Sequence, residues 1–348
     1  MNDHTRTVPT EVVVIGAGAA GLAAARRLHE HGVDVLLLEA RARSGGRAFT
    51  LRTSDGAFPV ELGPEYIHGA ARPTMALLRE SGEATVHIGE SPEDIWEAAQ
   101  RILQRVDLNG PDSSVDAFLR RVDTPDAELA RMLIEGFDAA IATDASVIAI
   151  AKEWRGHAND TQFRPANGYG AMMEFLAHFV KERLWLNAPV QELRWSSEGV
   201  EVRAVRDGEP VMVRAARAIV TLPIGVLREN EVRFTPQLPA EKRAAIDAIG
   251  MGPVVKVVLE FRSVFWDESF YRTPPGSPFF PTVWSRLPQR APLLVAWAGG
   301  DCANRLIAAH ADPIAAAVDV CAQLFPAIDV RAQLVDAHCH DWQRDSYE

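Results

Sequence analysis

Residues Val12 to Arg47 constrain this chain more than any other stretch. An apolar run, Val12-Val13-Val14-Ile15, meets the turn Gly16-Ala17-Gly18-Ala19-Ala20-Gly21. An alanine-rich helical segment leads to His29, His31-Gly32 turns the chain, and a second apolar run, Val33 to Leu38, ends on Glu39. Strand, glycine turn, helix and strand make a βαβ unit in which each glycine has its own task. Gly16 permits the tight turn, Gly18 lets a pyrophosphate approach the backbone, and Gly21 lets helix and strand close up. The turn, with Ala17 and Ala20 in it, opens a helix whose first N–H groups and positive dipole end face the phosphates. Glu39 falls about 20 residues past the glycines, where a carboxylate accepts hydrogen bonds from a ribose hydroxyl. A lone glycine triplet is weak evidence, but the full sequence of parts predicts a dinucleotide site.

The residues after Glu39 choose the cofactor. Ala40-Arg41-Ala42-Arg43-Ser44-Gly45-Gly46-Arg47 supplies a second glycine-arginine loop. The Arg47 fork suits a phosphate, and Gly45-Gly46 allow close backbone approach, although a basic surface turn has the same composition. The Glu-Ala-Arg…Gly-Gly-Arg string resembles the second FAD motif of the flavin-containing amine oxidase family, which includes the monoamine and polyamine oxidases. The resemblance implies FAD rather than NAD, held by Gly16, Ala17, Gly18, Ala20, Gly21, Glu39, Ala40, Arg41, Gly45, Gly46 and Arg47.

Composition narrows the alternatives. A chain of 348 residues, 47% hydrophobic and 24% charged, has room for two domains with ordinary cores. The net charge of -11 argues against a nucleic-acid partner. Cys302, Cys321 and Cys339 are widely spaced and odd in number, which predicts no disulfide framework and a cytoplasmic setting. The apolar run from Val12 is too short for a membrane anchor, and the first ten residues read as a loose tail. His338-Cys339-His340 has metal-like residue types but no further ligand near it in sequence, so no metal is expected. Neither a Gly-x-Ser-x-Gly elbow nor a His-Glu-x-x-His pair is present, which leaves hydrolase chemistry without support.

The predicted fold class is α/β: a Rossmann-like FAD-binding domain with an interleaved α+β substrate domain of helices and a mixed sheet. The expected division is 1–72 and 164–228 for FAD binding, and 73–163 and 229–348 for the substrate domain. Pro73 to Ala151 reads as helical, with Leu77-Leu78, Ile102-Leu103 and Phe118-Leu119 recurring on helical spacing and its aromatics assigned to core. Arg164 to Gly170 reads as a loop before a helix, Ala171 to Leu184; Glu192 to Arg206 and Val211 to Arg214 read as a meander, and Ala218 to Leu222 as a separate short strand. In Val254 to Phe261, alternation puts Val254, Lys256, Val258 and Glu260 on one face, and periodicity alone leaves a solvated face equally open.

The resemblance adds roles here. Glu61 to Gly69 is similar to the family's Glu-Leu-Gly-x-x-Trp-Ile-x-Gly segment, with Tyr66 in place of Trp. It implies Gly63, Pro64 and Glu65 beside the cofactor and His68 facing substrate; read alone, His68 is an ordinary loop histidine. It places Val190 beside the adenine, and it makes Lys256 the residue that holds a water against flavin N5. The implied activity is oxidation of an amine to an imine and then a carbonyl, with dioxygen giving hydrogen peroxide. Trp342-x-x-Asp345-x-Tyr347 resembles the step just before the family's C-terminal FAD segment, and the sequence stops at Glu348. The expectation is therefore a truncated oxidase, with completion by a second polypeptide or a non-catalytic nucleotide-binding relative as alternatives. Another flavoprotein of this fold, such as a carotenoid-desaturase-like or porphyrinogen-oxidase-like enzyme, is the rival within the fold.

Overall fold

A computed structural model of the chain describes residues 6–89, 93–156, 161–267, 271–272, 276–286 and 288–347. The chain divides into two compact units, Met1–Thr50 with Tyr169–Ile249 and Asp345–Glu348, and Leu51–Gly168 with Gly250–Arg344.

The first unit is built on strand β1 (Arg6–Ile15), helix α1 (Ala19–Glu30) and strand β2 (Val35–Leu38). Val12 to Ile15 and all of β2 are buried, as expected of strands paired on both sides and covered on both faces. Helix α1 has no acid in its first turn and carries Arg27 and His29 in its last, so only its C-terminal end is complemented by charge. The sheet runs in the order Arg233–Thr235, Val190–Ser196, Gly199–Arg206, Glu209–Val220, β1, β2, Leu184–Trp185. Its β1, β2 and Leu184–Trp185 strands are parallel, and the meander beside them is antiparallel.

Two expectations change here. Val211–Arg214 and the first part of the expected Ala218–Leu222 strand, Ala218 to Val220, belong to one 12-residue strand, Glu209–Val220. The Arg214-Ala215-Ala216-Arg217 stretch hides this continuity, because its side chains alternate weakly while its backbone stays paired with β1. That long strand also orders part of the expected tail: Arg6 to Thr10 pair with Val211 to Ala215 and extend β1. Residues 1–5 lie outside the described residues.

The second unit holds a five-stranded antiparallel sheet in the order Tyr271–Arg272, Thr282–Ser285, Leu293–Gly299, Val254–Phe261, Leu334–Asp341. Val255, Val257, Leu259 and Phe261 point to one face, into a core shared with Ala317, Val318 and Cys321 of helix Pro313–Leu324. Lys256, Val258 and Glu260 occupy the other face and are also buried. Helices Glu93–Leu103, Val115–Leu119, Ala127–Phe137 and Val147–Gly156 form their own apolar cluster. The stretch read as helical contains a strand, Thr85–Gly89, which pairs with Gln162–Pro165; that strand in turn pairs with Ile67–His68. Thr85-Val86-His87-Ile88 is β-branched at three of its four positions, which favours a strand over a helical turn. Arg164 and Pro165 therefore end a strand rather than open a loop, and the following helix starts at Tyr169.

The unit boundaries differ from the expected 72, 163 and 228 for side-chain reasons. Ser54 donates from N and Oγ to Glu260, which draws residues after Thr50 into the second unit. Arg233 and Thr235 donate to Glu192, which holds residues beyond 228 in the first. Asp345 returns to the first unit through an ion pair with Arg41.

Candidate active site

In the first unit the glycine turn is tightly determined. Gly16 has φ +100, and a Cβ on Gly21 would lie 1.8 Å from the Gly16 carbonyl oxygen. Gly18 is different. Its φ is -74, open to any residue, and the nearest atom to an added Cβ is Gly46 Cα at 3.9 Å. Neither backbone conformation nor internal packing requires glycine there. What a Cβ would occupy is the space over the start of α1, where the helix has no side-chain cap. That is the space a pyrophosphate needs, so these residues fit the nucleotide.

The second loop closes onto the first. Gly18 bridges Gly45, the Gly45 N–H donates to Ala17 O at 2.8 Å, and a Cβ on Gly46 would press on Gly18 Cα at 3.1 Å. Arg43, which the sequence motif leaves unassigned, donates to Gly46 O at 2.8 Å and lies over the Phe49 ring, fixing the loop. Glu39 is buried; its Oε2 accepts from Ala17 N at 2.7 Å and its Oε1 from Arg41 N at 2.9 Å. The carboxylate thus joins both loops, and each oxygen keeps a further lone pair. Asn187 and Ala188 donate to the Arg41 and Glu39 carbonyls, which brings half-buried Val190 to the same end of the sheet. Ala20 and Arg47 are exposed, Ala17 is buried, and Arg41 is occupied by Asp345 with Tyr347 against it. Replacing Gly18 with alanine is expected to leave stability within about 1 kcal/mol. The same change should weaken FAD binding roughly 10- to 100-fold, which a flavin fluorescence titration measures.

The second unit carries a buried charge cluster. Lys256, 1% exposed, donates from Nζ to Gly63 O at 3.1 Å and to Glu65 Oε2 at 3.1 Å. Trp284 Nε1 donates to the same oxygen at 3.2 Å. Arg164 Nε lies 3.0 Å from Glu65 Oε1, and its Nη2 donates to the Tyr66 hydroxyl at 2.7 Å. Arg286 donates to Pro59 O at 3.1 Å, and buried Glu61 lies on the same strand as Pro59. Burial pushes the Glu65 carboxyl up, but Arg164, Lys256 and Arg286 outweigh it and hold the group at about 2. Burial pushes Lys256 down; Glu65 and Glu61 oppose this without cancelling it.

Because the Glu65 value falls on folding from 4.5 to about 2, its ionised form stabilises the native state above pH 4.5. That contribution should disappear as the pH falls from 4.5 toward 2, and Glu65→Gln should flatten this part of the acid limb in denaturant unfolding. Arg164→Met should cost up to about 3 kcal/mol in the same assay near neutral pH, since it removes the cation at Glu65 Oε1 while Lys256 and Trp284 stay on Oε2.

His68 belongs to the same unit and is half-buried, in an aromatic row. Its ring is 5.8 Å from Tyr66 and 5.3 Å from Phe137, and Phe137 is 5.7 Å from Trp154. Trp154 is core as expected, but Phe137 is 39% exposed and so offers an apolar face beside His68. Gly63 holds Lys256 through its carbonyl, and Pro64 is exposed. Glu65, expected beside the cofactor, places its carboxylate on Lys256, Arg164 and Trp284. His338 Nε2 is 3.5 Å from Asp336 and clusters with Glu260, while neighbouring Cys339 packs on the apolar core.

Arg164, Trp284 and Arg286 were not legible as site residues. One signal was available: only four of the 36 basic residues are lysines, and Lys152, Lys181 and Lys242 are exposed. A lysine inside an apolar strand of so arginine-rich a chain is an exception that asks for a reason.

Comparison with known proteins defines the class. The family described as flavin containing amine oxidoreductase matches residues 97–348, and an NAD(P)-binding Rossmann-like domain matches residues 14–81. The chain belongs to the flavin-containing amine oxidase family, and its cofactor is FAD. Lysine-specific histone demethylase 1B of Mus musculus is 28% identical over 318 residues, covering 80% of this chain and 37% of that protein. Polyamine oxidase 2 of Arabidopsis thaliana is 28% identical over 311 residues, covering 76% and 61%. The chain thus spans between about a third and three fifths of the length of these curated relatives. Among solved structures, a putrescine oxidase bound to putrescine superposes with a TM-score of 0.79 at 20% identity, covering 98% of this chain and 86% of that one. Cyclohexylamine oxidase from Brevibacterium oxydans does so at 0.75 and 19%, covering 97% and 86%. At these identities the structures establish the shared fold.

Proposed function

We propose that this protein oxidises a small-molecule amine with dioxygen, releasing an imine that hydrolyses to a carbonyl, and hydrogen peroxide. The observation that carries this reading is Lys256: a lysine buried at 1% exposure, held by Gly63 and Glu65, at the position where the family resemblance places the residue against flavin N5. FAD, when bound, supplies the two-electron oxidation, and dioxygen returns it to its starting state. The first unit's glycines, Glu39 and the Gly45-Gly46 loop hold the nucleotide. In the second unit, Lys256 holds the reactive water, and burial excludes bulk solvent around it. His68, with Tyr66 and Phe137, offers an aromatic wall for the substrate. The curated polyamine oxidases among its relatives support a polyamine as the substrate class.

The test is peroxide release, coupled to a peroxidase dye, across monoamines, diamines and polyamines. Turnover of diamines or polyamines above monoamines is the expected result; no peroxide from any amine by a flavin-loaded protein would contradict the reading. The mass of the flavin-bound species shows whether the chain works alone or with a second polypeptide. Among the described residues no helix is long and apolar enough to cross a membrane. A cytoplasmic setting is part of this proposal; it is supported by three cysteines without a disulfide and is checked by cell fractionation.

A further inference from the structure

Lys256 is gripped by a carboxylate at a position that the family segment leaves open. In Glu-Leu-Gly-x-x-Trp-Ile-x-Gly, Glu65 is the second unspecified residue. Here it is buried, and its two oxygens divide the work: Oε1 faces Arg164 at 3.0 Å, and Oε2 accepts from Lys256 at 3.1 Å and Trp284 at 3.2 Å. Gly63 O takes a second Lys256 proton at 3.1 Å, so two of the three ammonium hydrogens are committed to fixed partners.

The charges around the lysine are unequal. Glu61 from the strand Pro59–Glu61, Glu65 from the loop that follows and Arg164 from Gln162–Pro165 act on it, while Arg286, after Thr282–Ser285, joins the cluster through Glu65, and Tyr66 through Arg164. His340 lies opposite Lys256 in register on one side and Trp297 on the other. Glu61, Glu65, Arg164, Lys256 and Arg286 are all buried, two carboxylates against three cations. Arginine does not release its proton in proteins, so with both carboxylates ionised the group is neutral only when Lys256 is an amine. Lys256 is then the member whose proton is exchangeable, and Glu65 is the carboxylate in direct contact with it.

We propose that Glu65 is a positioning residue for Lys256, one that fixes the lysine Nζ jointly with Gly63 and sets the pH at which the lysine takes up its proton. The proposal rests on the reading above only in placing Lys256 in the oxidase machinery; the Glu65–Lys256 linkage itself stands on the geometry. Removing the Glu65 charge without changing its size leaves Lys256 among arginines, which favours the neutral amine.

Four lysines make this directly measurable. Flavin-loaded protein labelled with 13C and 15N at lysine should show four side-chain signals, of which that of Lys256 is assigned by its loss in Lys256→Met. In Glu65→Gln the Lys256 midpoint should move down by at least about one pH unit, and the pH limb of kcat/KM that Lys256→Met removes should move with it. In Glu65→Asp, where the charge is kept but its reach shortened, the midpoint should stay near that of the parent while kcat falls. An unchanged Lys256 midpoint in Glu65→Gln overturns the proposal. If Glu65→Gln does not fold, a parental kcat in Glu65→Asp overturns it. A shifted midpoint with no Lys256-dependent limb in kcat/KM supports the linkage and instead contradicts Lys256's place in the reaction.

Discussion

Gly21→Ala is expected to yield protein that neither folds to native stability nor retains flavin. The added Cβ would stand 1.8 Å from the Gly16 carbonyl oxygen and 2.9 Å from the Thr221 hydroxyl. A flexible side chain could swing aside, but Gly16 O belongs to the turn itself. Thr221 Oγ1 already donates to Ile15 O and Gly16 O, tying the turn to the end of the long strand Glu209–Val220. Relief must come from moving α1 off the sheet, where Leu22 and Ala25 are fully buried. Overpacking ordinarily costs about 1–3 kcal/mol, and a clash with backbone belongs at or above the upper end. Circular dichroism melting and flavin absorbance of Gly21→Ala, set beside Gly18→Ala, separate the two roles. The first should lose stability and flavin together, and the second flavin affinity alone.

Lys256→Met is expected to keep the fold and lose the reaction. Methionine matches the length and volume of the lysine stem, so the strand Val254–Phe261 keeps its packing. Glu65 retains Arg164 and Trp284, so the loss of stability should stay below the ~3–5 kcal/mol typical of a stranded buried charge. Loss of a group that positions a proton or water at the reacting centre typically costs ~10²–10⁴ in rate, and a fall of at least about 100-fold in flavin reduction or reoxidation is expected. Stopped-flow absorbance resolves which half-reaction suffers. Parental rates in both would remove Lys256 from the machinery.

The first unit was legible because its function is written in local spacing. Glycines, a strand before them, a helix after them and an acid at a fixed distance specify a turn and its neighbours within one βαβ unit. The structure adds that Glu39 joins Ala17 to Arg41, a bond between loops 22 residues apart, which needs only the same short stretch of chain. The second unit was less legible because its site is assembled across long separations. Glu65 meets Lys256 from 191 residues away and Trp284 from 219. No periodicity links them, and alternation in Val254–Phe261 could only say that Lys256 and Glu260 share a face. Which face was solvated depended on the segment 51–65 lying over it, as the Ser54–Glu260 and Gly63–Lys256 bonds show. Arg164 was hidden for a related reason: its strand is four residues long and gains its identity only from its partners Ile67–His68 and Thr85–Gly89.

The central claim is that this chain holds FAD and uses it on amines, and one measurement addresses it most directly. The purified protein, reconstituted with FAD and freed of excess, is recorded between 350 and 550 nm (roughly the oxidised flavin range) before and after anaerobic addition of a diamine or polyamine. The expected result is a yellow protein whose flavin bands bleach on amine addition and return when air is admitted, with Lys256→Met bound but slow. A protein that stays colourless after reconstitution, or one that binds FAD and shows no bleaching with any amine, would contradict it.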